Sequence, residues 1–319
     1  MEFNAYEITK DRHLNRIAAD SISAQWLTDD VHRWIDLTEF QQDELTEFLE
    51  PMELRREILD ACLVPQTIPS VIALEKILFI SIPMESEKNK LAYLTFLCSP
   101  TTLVTIQHSD IIYMDDFDLF YRNDRMLIAA NTAGLLFELI NESLKMFVPR
   151  FFTMRNNVMK VSQALEVDQD EVEVEEIMNL SQEASQMENI FQDQRYCLNE
   201  LKSVRSESLS LTTIQGGLSD LSESFDRVLV TLNRIQDRIG DLHQYHVRTI
   251  EEKTNRRLNM LVIVSIIFMP PTLIAAIYGM NFQNIPILGW QYGYTIVMAL
   301  MVTLVVGLLL FFRSRGWFK

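Results

Sequence analysis

Two long apolar segments near the C-terminus constrain the fold more than any other feature of this sequence. Residues 261–278 (LVIVSIIFMPPTLIAAIY) and 293–312 (GYTIVMALMVTLVVGLLLFF) contain no charged side chain. Each is about as long as a helix that crosses ~30 Å of hydrocarbon. A helical hairpin buried in a soluble core is the alternative, but helices of that kind normally carry a polar face. The segments therefore predict two transmembrane helices.

The charges that flank these segments predict the orientation of the chain. Residues 279–292 between them are uncharged, and the first twenty residues contain no apolar run typical of a secretory signal peptide. By the positive-inside rule we expect a multi-pass protein of the cell (inner) membrane with cytoplasmic N- and C-termini. The six cations that flank the two segments are Lys253, Arg256, Arg257, Arg313, Arg315 and Lys319.

The rest of the chain is strongly acidic. The whole sequence has 28 Lys+Arg and 44 Asp+Glu; residues 253–319 contain six cations and no acid, so residues 1–252 have 22 cations, 44 acids and a charge of −22. Nucleic-acid backbones are bound by cationic surfaces, so we expect no nucleic acid as a partner. A cation is the more natural ligand. The three cysteines form no Cys-x-x-Cys pair, so neither a disulfide framework nor a zinc site is indicated.

Residues 1–120 mix the patterns of helices and strands. Residues 34–62 have helical periodicity interrupted at Pro51, whereas 71–83, 91–98 and 103–107 are short apolar runs typical of strands. We therefore expect an α+β cytoplasmic domain. It contains no Gly-rich phosphate loop, nucleophile elbow or metalloprotease helix, so the sequence does not indicate an enzyme.

The next part of the chain predicts long helices. Between residues 150 and 269 there is no proline, and the few glycines are the pair Gly216-Gly217, where we expect a turn, and Gly240. Apolar residues then follow at alternating spacings of three and four, a heptad seam typical of a coiled coil. If that helix continues through the first span it covers about sixty residues, or ~90 Å. The seam residues are Leu218, Leu221, Phe225, Val228, Leu232, Ile235, Ile239 and Leu242.

These patterns divide the chain into three parts: a cytoplasmic α/β domain over 1–120, cytoplasmic long helices including a stalk over 121–257, and a two-span domain over 258–319 with an outer loop at 279–292. Residues 166–176 (EVDQDEVEVEE) are acidic. A solvated charge run or helix–helix turn explains them, and a low-affinity divalent-cation sensor is the functional alternative.

One face of the first span has an unusual composition. At 100° per residue its members fall within a stripe about 80° wide, which mixes small, hydroxyl and flexible apolar side chains. Packing of small residues between membrane helices is one explanation, and the wall of a conduit in a ring of subunits is the other. The stripe residues are Leu258, Leu261, Ser265, Met269, Thr272, Ala276 and Gly279.

The end of the first span resembles the CorA family of divalent-cation channels, two-span proteins defined by a Gly-Met-Asn motif after the first membrane helix. The resemblance extends in architecture over the whole chain, from a Trp34-Ile35-Asp36 entry in the α/β domain to the two spans. The matching residues are Met269-Pro270-x-Thr272, residues 277–282 (IYGMNF) with Gly279-Met280-Asn281, Pro286 and Trp290-x-Tyr292-Gly293-Tyr294.

The resemblance implies a funnel-shaped homopentamer that conducts Mg²⁺. Its outer selectivity ring would be Gly279, Met280 and Asn281, with the Asn281 amide contacting the hydrated ion. Cytoplasmic Mg²⁺ bound between subunits would favour the closed state, and Asp220 aligns with a family sensor carboxylate. The pore-lining and gating residues would be Asn255, Leu261, Ser265, Met269, Thr272 and Ala276.

Several features depart from the family pattern and leave alternatives open. The loop 282–289 has no acidic residue, Pro271 and Ala276 differ from the usual residues, and the helices between 150 and 216 look short. A family member that transports Zn²⁺, Co²⁺ or Ni²⁺, with or without proton coupling, is the nearest alternative. A membrane-anchored oligomeric scaffold or sensor is a more distant one.

Overall fold

The computed structural model describes residues 2–18, 27, 30–85, 91–109, 111, 117, 125–167, 172–205, 209–280 and 291–316. The chain divides into two compact units, Met1–Leu242 and His243–Lys319.

The first unit contains a mixed seven-stranded sheet in the order β2-β1-β3-β7-β6-β5-β4. β3 and β7 are parallel, and every other neighbouring pair is antiparallel. The two edge strands, β2 and β4, have four residues each and are the shortest in the sheet. The strands are β1 (Glu2–Ile8), β2 (Leu14–Ile17), β3 (Arg33–Thr38), β4 (Ser70–Ala73), β5 (Leu78–Glu85), β6 (Leu91–Cys98) and β7 (Thr102–Gln107).

Both faces of this sheet are covered, which explains why its central strands are apolar without alternation. In β3, Trp34 contributes to one apolar cluster and Ile35 to the other. A buried polar chain connects β3 to β7: the Trp34 indole donates to Thr105 Oγ1 at 3.0 Å, and the Thr105 hydroxyl donates to Asp36. Gln107 also donates to this carboxylate, so the buried charge is satisfied by hydrogen bonds.

Two short helices, α1 (Gln42–Leu49) and α2 (Arg56–Leu63), cover one face, and the long helices α3 (Thr132–Val167), α4 (Val174–Ser203) and α5 (Gln215–Tyr278) build the core on the other. Aromatic rings connect the three long helices. The ring centroids of Phe147 and Phe191 are 5.0 Å apart, and those of Phe191 and Phe225 are 5.6 Å apart. Such pairs add to the burial of their apolar area.

The 64-residue helix α5 carries the heptad seam. Seven of the eight seam residues are buried and Val228 is half-buried, so the predicted seam is a packing face of the first unit. At Gly217 a Cβ atom would lie 2.8 Å from the Phe137 ring, whereas one at Gly216 would contact nothing within 4 Å. Gly217 therefore permits close packing of α5 on α3.

The second unit contains the last part of α5 and helix α6 (Gly293–Ser314). Ile263 and Ile267 of α5 pack with Phe312 of α6. In the most apolar windows of α5 and α6 only 11% and 6% of the residues are buried. The core helix of a soluble protein would be mostly buried, so these helices have the character of membrane spans.

The predicted fold class is confirmed: a mixed α/β N-terminal domain, long helices and two apolar C-terminal helices. Three local predictions are wrong. Residues 33–38 form strand β3 instead of a helix, 71–83 contain parts of two strands, and the Gly216-Gly217 pair lies inside the first turn of α5. Strands β1 and β2 were missed because their short patterns interleave charged and apolar residues.

Candidate functional site

The stripe predicted on the first span lies on the face of α5 that points away from α6. The contact face is marked by Ile263 and Ile267, which are 2% and 5% exposed. Taking Ile263 as zero and 100° per residue, the stripe residues lie at about 160° to 240° around the helix. Leu261 and Met269 are 63% and 68% exposed, and the other stripe residues are exposed as well. The face opposite α6 is therefore uncovered within one chain.

The two hydroxyl groups of the stripe hydrogen-bond to the helix backbone. Ser265 Oγ donates to the Leu261 carbonyl at 2.9 Å, and Thr272 Oγ1 donates to the Phe268 carbonyl at 2.7 Å. Each hydroxyl has one proton, which these bonds use, so its oxygen presents lone pairs on the exposed face. The stripe thus offers hydrogen-bond acceptors, as a cation or its hydration water requires.

Two prolines lie inside this helix beside the stripe. Pro270 and Pro271 have no N–H, so they cannot donate to the carbonyls of Ile266 and Ile267 four residues earlier. In a membrane such carbonyls are tolerated where neighbours or water satisfy them. The helix nevertheless continues to Tyr278.

Helix α5 ends at the predicted selectivity motif. The Gly279 N–H donates to the Ala275 carbonyl at 2.8 Å, and the Met280 N–H donates to the Ile277 carbonyl at 3.3 Å. A Cβ atom at Gly279 would lie 3.1 Å from the Ala275 oxygen, so glycine allows this close approach. The third motif residue, Asn281, lies outside the described residues, as do the matching positions Pro286 and Trp290.

The remaining predicted residues are dispersed. Asn255 is exposed on α5 at about 280° from Ile263, at the edge of the stripe direction. Asp220 is exposed near the start of α5, where its carbonyl accepts a bond from the Ser224 hydroxyl at 3.0 Å. Within the described part of the chain no three His, Cys, Asp or Glu side chains are close enough together to hold a metal ion.

The acidic run predicted as a turn or a cation sensor connects two helices. α3 ends at Val167 and α4 begins at Val174, while residues 168–171 lie outside the described residues. Beside this connection is an open cleft of about 530 Å³ between α3 and α4. Its lining is Asn157, Lys160, Glu173, Glu175, Glu176, Asn179, Leu180 and Glu183.

The thiols are poor ligands for soft metals in the folded protein. All three cysteines are buried, and burial raises the pKa of each thiol to about 12. Metals bind the thiolate, so these neutral side chains offer little affinity at neutral pH. The cysteines are Cys62, Cys98 and Cys197.

Sequence reasoning found the stripe but missed the face that packs on α6. The signal was available: Ile263, Ile267, Pro270 and Ile274 recur at helical spacings of three and four, and the first two are the buried residues. Large β-branched side chains opposite small and hydroxyl residues distinguish the two faces.

An α/β unit, a long helix that ends in one apolar span, and a second apolar helix packed on it define the class of two-span membrane transporters. The face of the first span opposite the second carries polar acceptors, and no enzyme chemistry is needed to explain it. The chain belongs to the family described as CorA-like Mg²⁺ transporter protein, which matches residues 29–314.

Individual relatives support this assignment. The chain is 26% identical over 320 residues to the magnesium transport protein CorA of Haemophilus ducreyi, covering 94% of this chain and 96% of that protein. It is 34% identical over 98 residues to the cobalt/magnesium transport protein CorA of Thermotoga maritima, an alignment that spans 31% of this chain and 28% of that protein. The complete structure of the CorA magnesium transporter from Methanocaldococcus jannaschii has the same fold, with a TM-score of 0.83, 20% identity and 99% of each chain covered.

Proposed function

We propose that this protein is a homopentameric channel that takes up Mg²⁺, with the α5 stripe of each subunit facing a common axis. The observation that carries the proposal is the exposure of the acceptor-bearing stripe on the side of α5 opposite α6. Two spans cannot enclose a conduit, whereas a closed ring of identical subunits can. The outward faces of α6 would then contact lipid.

The stripe residues would act in sequence along the axis. Rings of Leu261 and Met269 would form apolar constrictions that gate by dewetting, and Ser265 and Thr272 would accept hydrogen bonds from the water around the ion. Ala276 leaves room above them. Asn255 would lie towards the inner mouth.

Gly279, Met280 and Asn281 would form the outer selectivity ring. Mg²⁺ prefers octahedral oxygen coordination and loses water reluctantly, so a ring of neutral amides can hold the hydrated ion without trapping it. Gly279 would fix the turn at the end of the helix, and Asn281 would present the amide oxygen.

The membrane potential is sufficient to drive uptake. A divalent charge that moves inward through 100 mV releases about 4.6 kcal/mol. Co²⁺ is a second substrate to consider, because the Thermotoga maritima relative is named for cobalt and magnesium. Zn²⁺ and Ni²⁺, with or without proton coupling, are the further alternatives. Residues 258–319 contain neither Cys nor His, which favours hard cations.

The same proposal places both termini in the cytoplasm of the cell and divides the chain at 120 and 257 into an α/β domain, long helices and a two-span domain. Cytoplasmic Mg²⁺ would bind between acidic subunits and hold the ring closed by neutralising repelling carboxylates. Asp220 is the candidate regulatory ligand. The outer loop would comprise residues 279–292.

Ion flux into liposomes tests the proposal. Asn281→Ala should abolish selective Mg²⁺ uptake by the purified protein, whereas Asn284→Ala, the matched change in the same loop, should leave it largely intact. Uptake by both variants equal to that of the wild type would refute the selectivity ring. A protein that passes no divalent cation at all would instead favour the scaffold.

Protease protection tests the regulatory part separately. Millimolar Mg²⁺ should slow cleavage of the N-terminal unit, and Asp220→Asn should weaken that protection. Cleavage that does not respond to Mg²⁺ would contradict feedback through the acidic surface but not transport.

A further inference from the structure

Five cations of the second unit lie near one end of the two spans. We call Lys253, Arg256, Arg257, Arg313 and Arg315 the cationic collar. The four arginines are exposed, and Lys253 is half-buried. Between the collar residues of α5 and those of α6, both helices are uncharged.

Two of the three collar residues of α5 lie on the α6 side of that helix. Arg256 precedes Ile263 by seven residues and Lys253 precedes it by ten, so at 100° per residue they lie at about 20° and 80° from Ile263. Arg257 lies at about 120°. All three avoid the stripe at about 160° to 240°. Arg256 and Lys253 thus extend the helix face that packs on α6, and Arg257 lies between that face and the exposed acceptors.

The collar residues of α6 complete the group. Phe312, near the end of α6, packs with Ile263 and Ile267, so the two helices run antiparallel. Arg315 follows Phe312 by three residues and lies on the same side of α6. Its guanidinium carbon is 5.7 Å from the centroid of the Phe311 ring. The aromatic ring holds one arginine at the boundary of the apolar segment.

The collar also has a narrow depth. At 1.5 Å per residue, Arg256 lies about 10 Å beyond Ile263 along α5, and Arg315 lies about 5 Å beyond Phe312 in the same direction. Arginine and lysine side chains can bridge such a difference. Glu251 and Glu252 follow immediately on the side away from the span, so the positive charge is confined to the level at which the apolar surface ends.

We propose that the cationic collar binds the phosphate groups of anionic phospholipids in the adjoining leaflet. Cations beside exposed apolar residues, such as Arg315 beside Phe311, which is 53% exposed, match a molecule that joins a phosphate to acyl chains. A soluble phosphate would use the charge alone. Basic groups of this kind beside spans attract anionic headgroups, by about fivefold per cation.

This inference goes beyond the proposed function, because it requires the two spans and not the identity of the ion. A channel that passes Mg²⁺ equally in every lipid is compatible with it, and so is a protein that passes none. The positive-inside rule alone predicts orientation and no preference of the folded protein for one lipid.

The test uses the full chain in vesicles of phosphatidylcholine with about one quarter phosphatidylglycerol. Native mass spectrometry of the released protein should show phosphatidylglycerol retained in excess over its share. Arg256→Gln with Arg315→Gln should lower that preference by about 30-fold. The charge-retaining pair Arg256→Lys with Arg315→Lys should keep most of it.

The matched control removes the same charge elsewhere: Arg56→Gln with Arg227→Gln, whose side chains are 93% and 68% exposed in the first unit. This control should retain the wild-type preference. Equal retention of phosphatidylglycerol by the collar variant and the wild type would overturn the proposal. Displacement of the lipid by millimolar inorganic phosphate would overturn it too, since that result indicates a site for the free anion.

Discussion

Replacing Thr272 by valine should slow ion flux strongly, while the same change at Thr303 should not. Both hydroxyls are exposed and donate to the carbonyl four residues earlier, Thr272 to Phe268 at 2.7 Å and Thr303 to Ala299 at 2.8 Å. They differ in position. Thr272 belongs to the stripe of α5, whereas Thr303 lies about 180° from Phe312 on the outward face of α6.

The size of the effect follows from the lost acceptor. Valine has nearly the shape of threonine but no oxygen, and a hydrogen bond contributes about 0.5–1.5 kcal/mol net. If two of the ring's hydroxyls contact the hydrated ion at the barrier, the barrier rises by about 1–3 kcal/mol. Flux should then fall by about 5- to 150-fold.

The assay is Mg²⁺ uptake into liposomes at equal protein content, with circular dichroism and thermal melting to establish that both variants fold. Thr303→Val should stay within about twofold of the wild type, because its hydroxyl has only the backbone bond to lose. Equal loss in both variants would attribute the effect to helix packing. No loss at Thr272 would refute the assignment of the stripe to the ion pathway.

Three further predictions concern the first unit. Gly217→Ala should lower the free energy of unfolding by about 1–3 kcal/mol through overpacking, whereas Gly216→Ala should be neutral or stabilising by up to about 1 kcal/mol, as measured by urea titration. Phe225→Ala should destabilise the folded protein by about 3–5 kcal/mol, whereas Val230→Ala, at an exposed position of the same helix, should change the melting temperature little. Equal shifts of the melting temperature in the two variants would contradict the packing of the aromatic rings. Burial raises the pKa of the thiols of Cys62, Cys98 and Cys197 to about 12, so iodoacetamide at pH 8 should modify them only after urea unfolds the protein, as measured by mass spectrometry. The free energy of unfolding should fall above about pH 9, because only the unfolded thiols then ionise.

The sequence predicts the helical part of this fold well and the sheet poorly. The seam from Leu218 to Leu242 has one buried face, so its period is visible in the sequence. β3 is buried on both faces and therefore shows no alternation, and its Trp34-to-Leu37 spacing imitates a helix. The Gly216-Gly217 pair predicts a turn from the sequence, whereas in the structure Gly217 allows close contact with Phe137, a residue eighty positions away.

The candidate site was predictable in part. The composition of the stripe indicated which face of α5 is unusual, but not where α6 packs, because that depends on the contact of Phe312 with Ile263 and Ile267. The roles proposed for Gly279 and Met280 rest on the resemblance. Nothing in the periodicity indicates that Arg256 of α5 and Arg315 of α6 continue the contact faces of the two helices.

The short edge strands of the sheet limit how copies of this chain can associate. Among the described strands, β2 and β4, with four residues each, are the ones that leave backbone N–H and C=O groups at the edges of the sheet. In the proposed pentamer five copies would lie at a high local concentration, a condition under which open sheet edges pair between chains and aggregate. Edge strands of this length offer few backbone hydrogen bonds to a strand of another copy, so neighbouring copies should associate through side chains. A variant with a longer β4 should aggregate more readily.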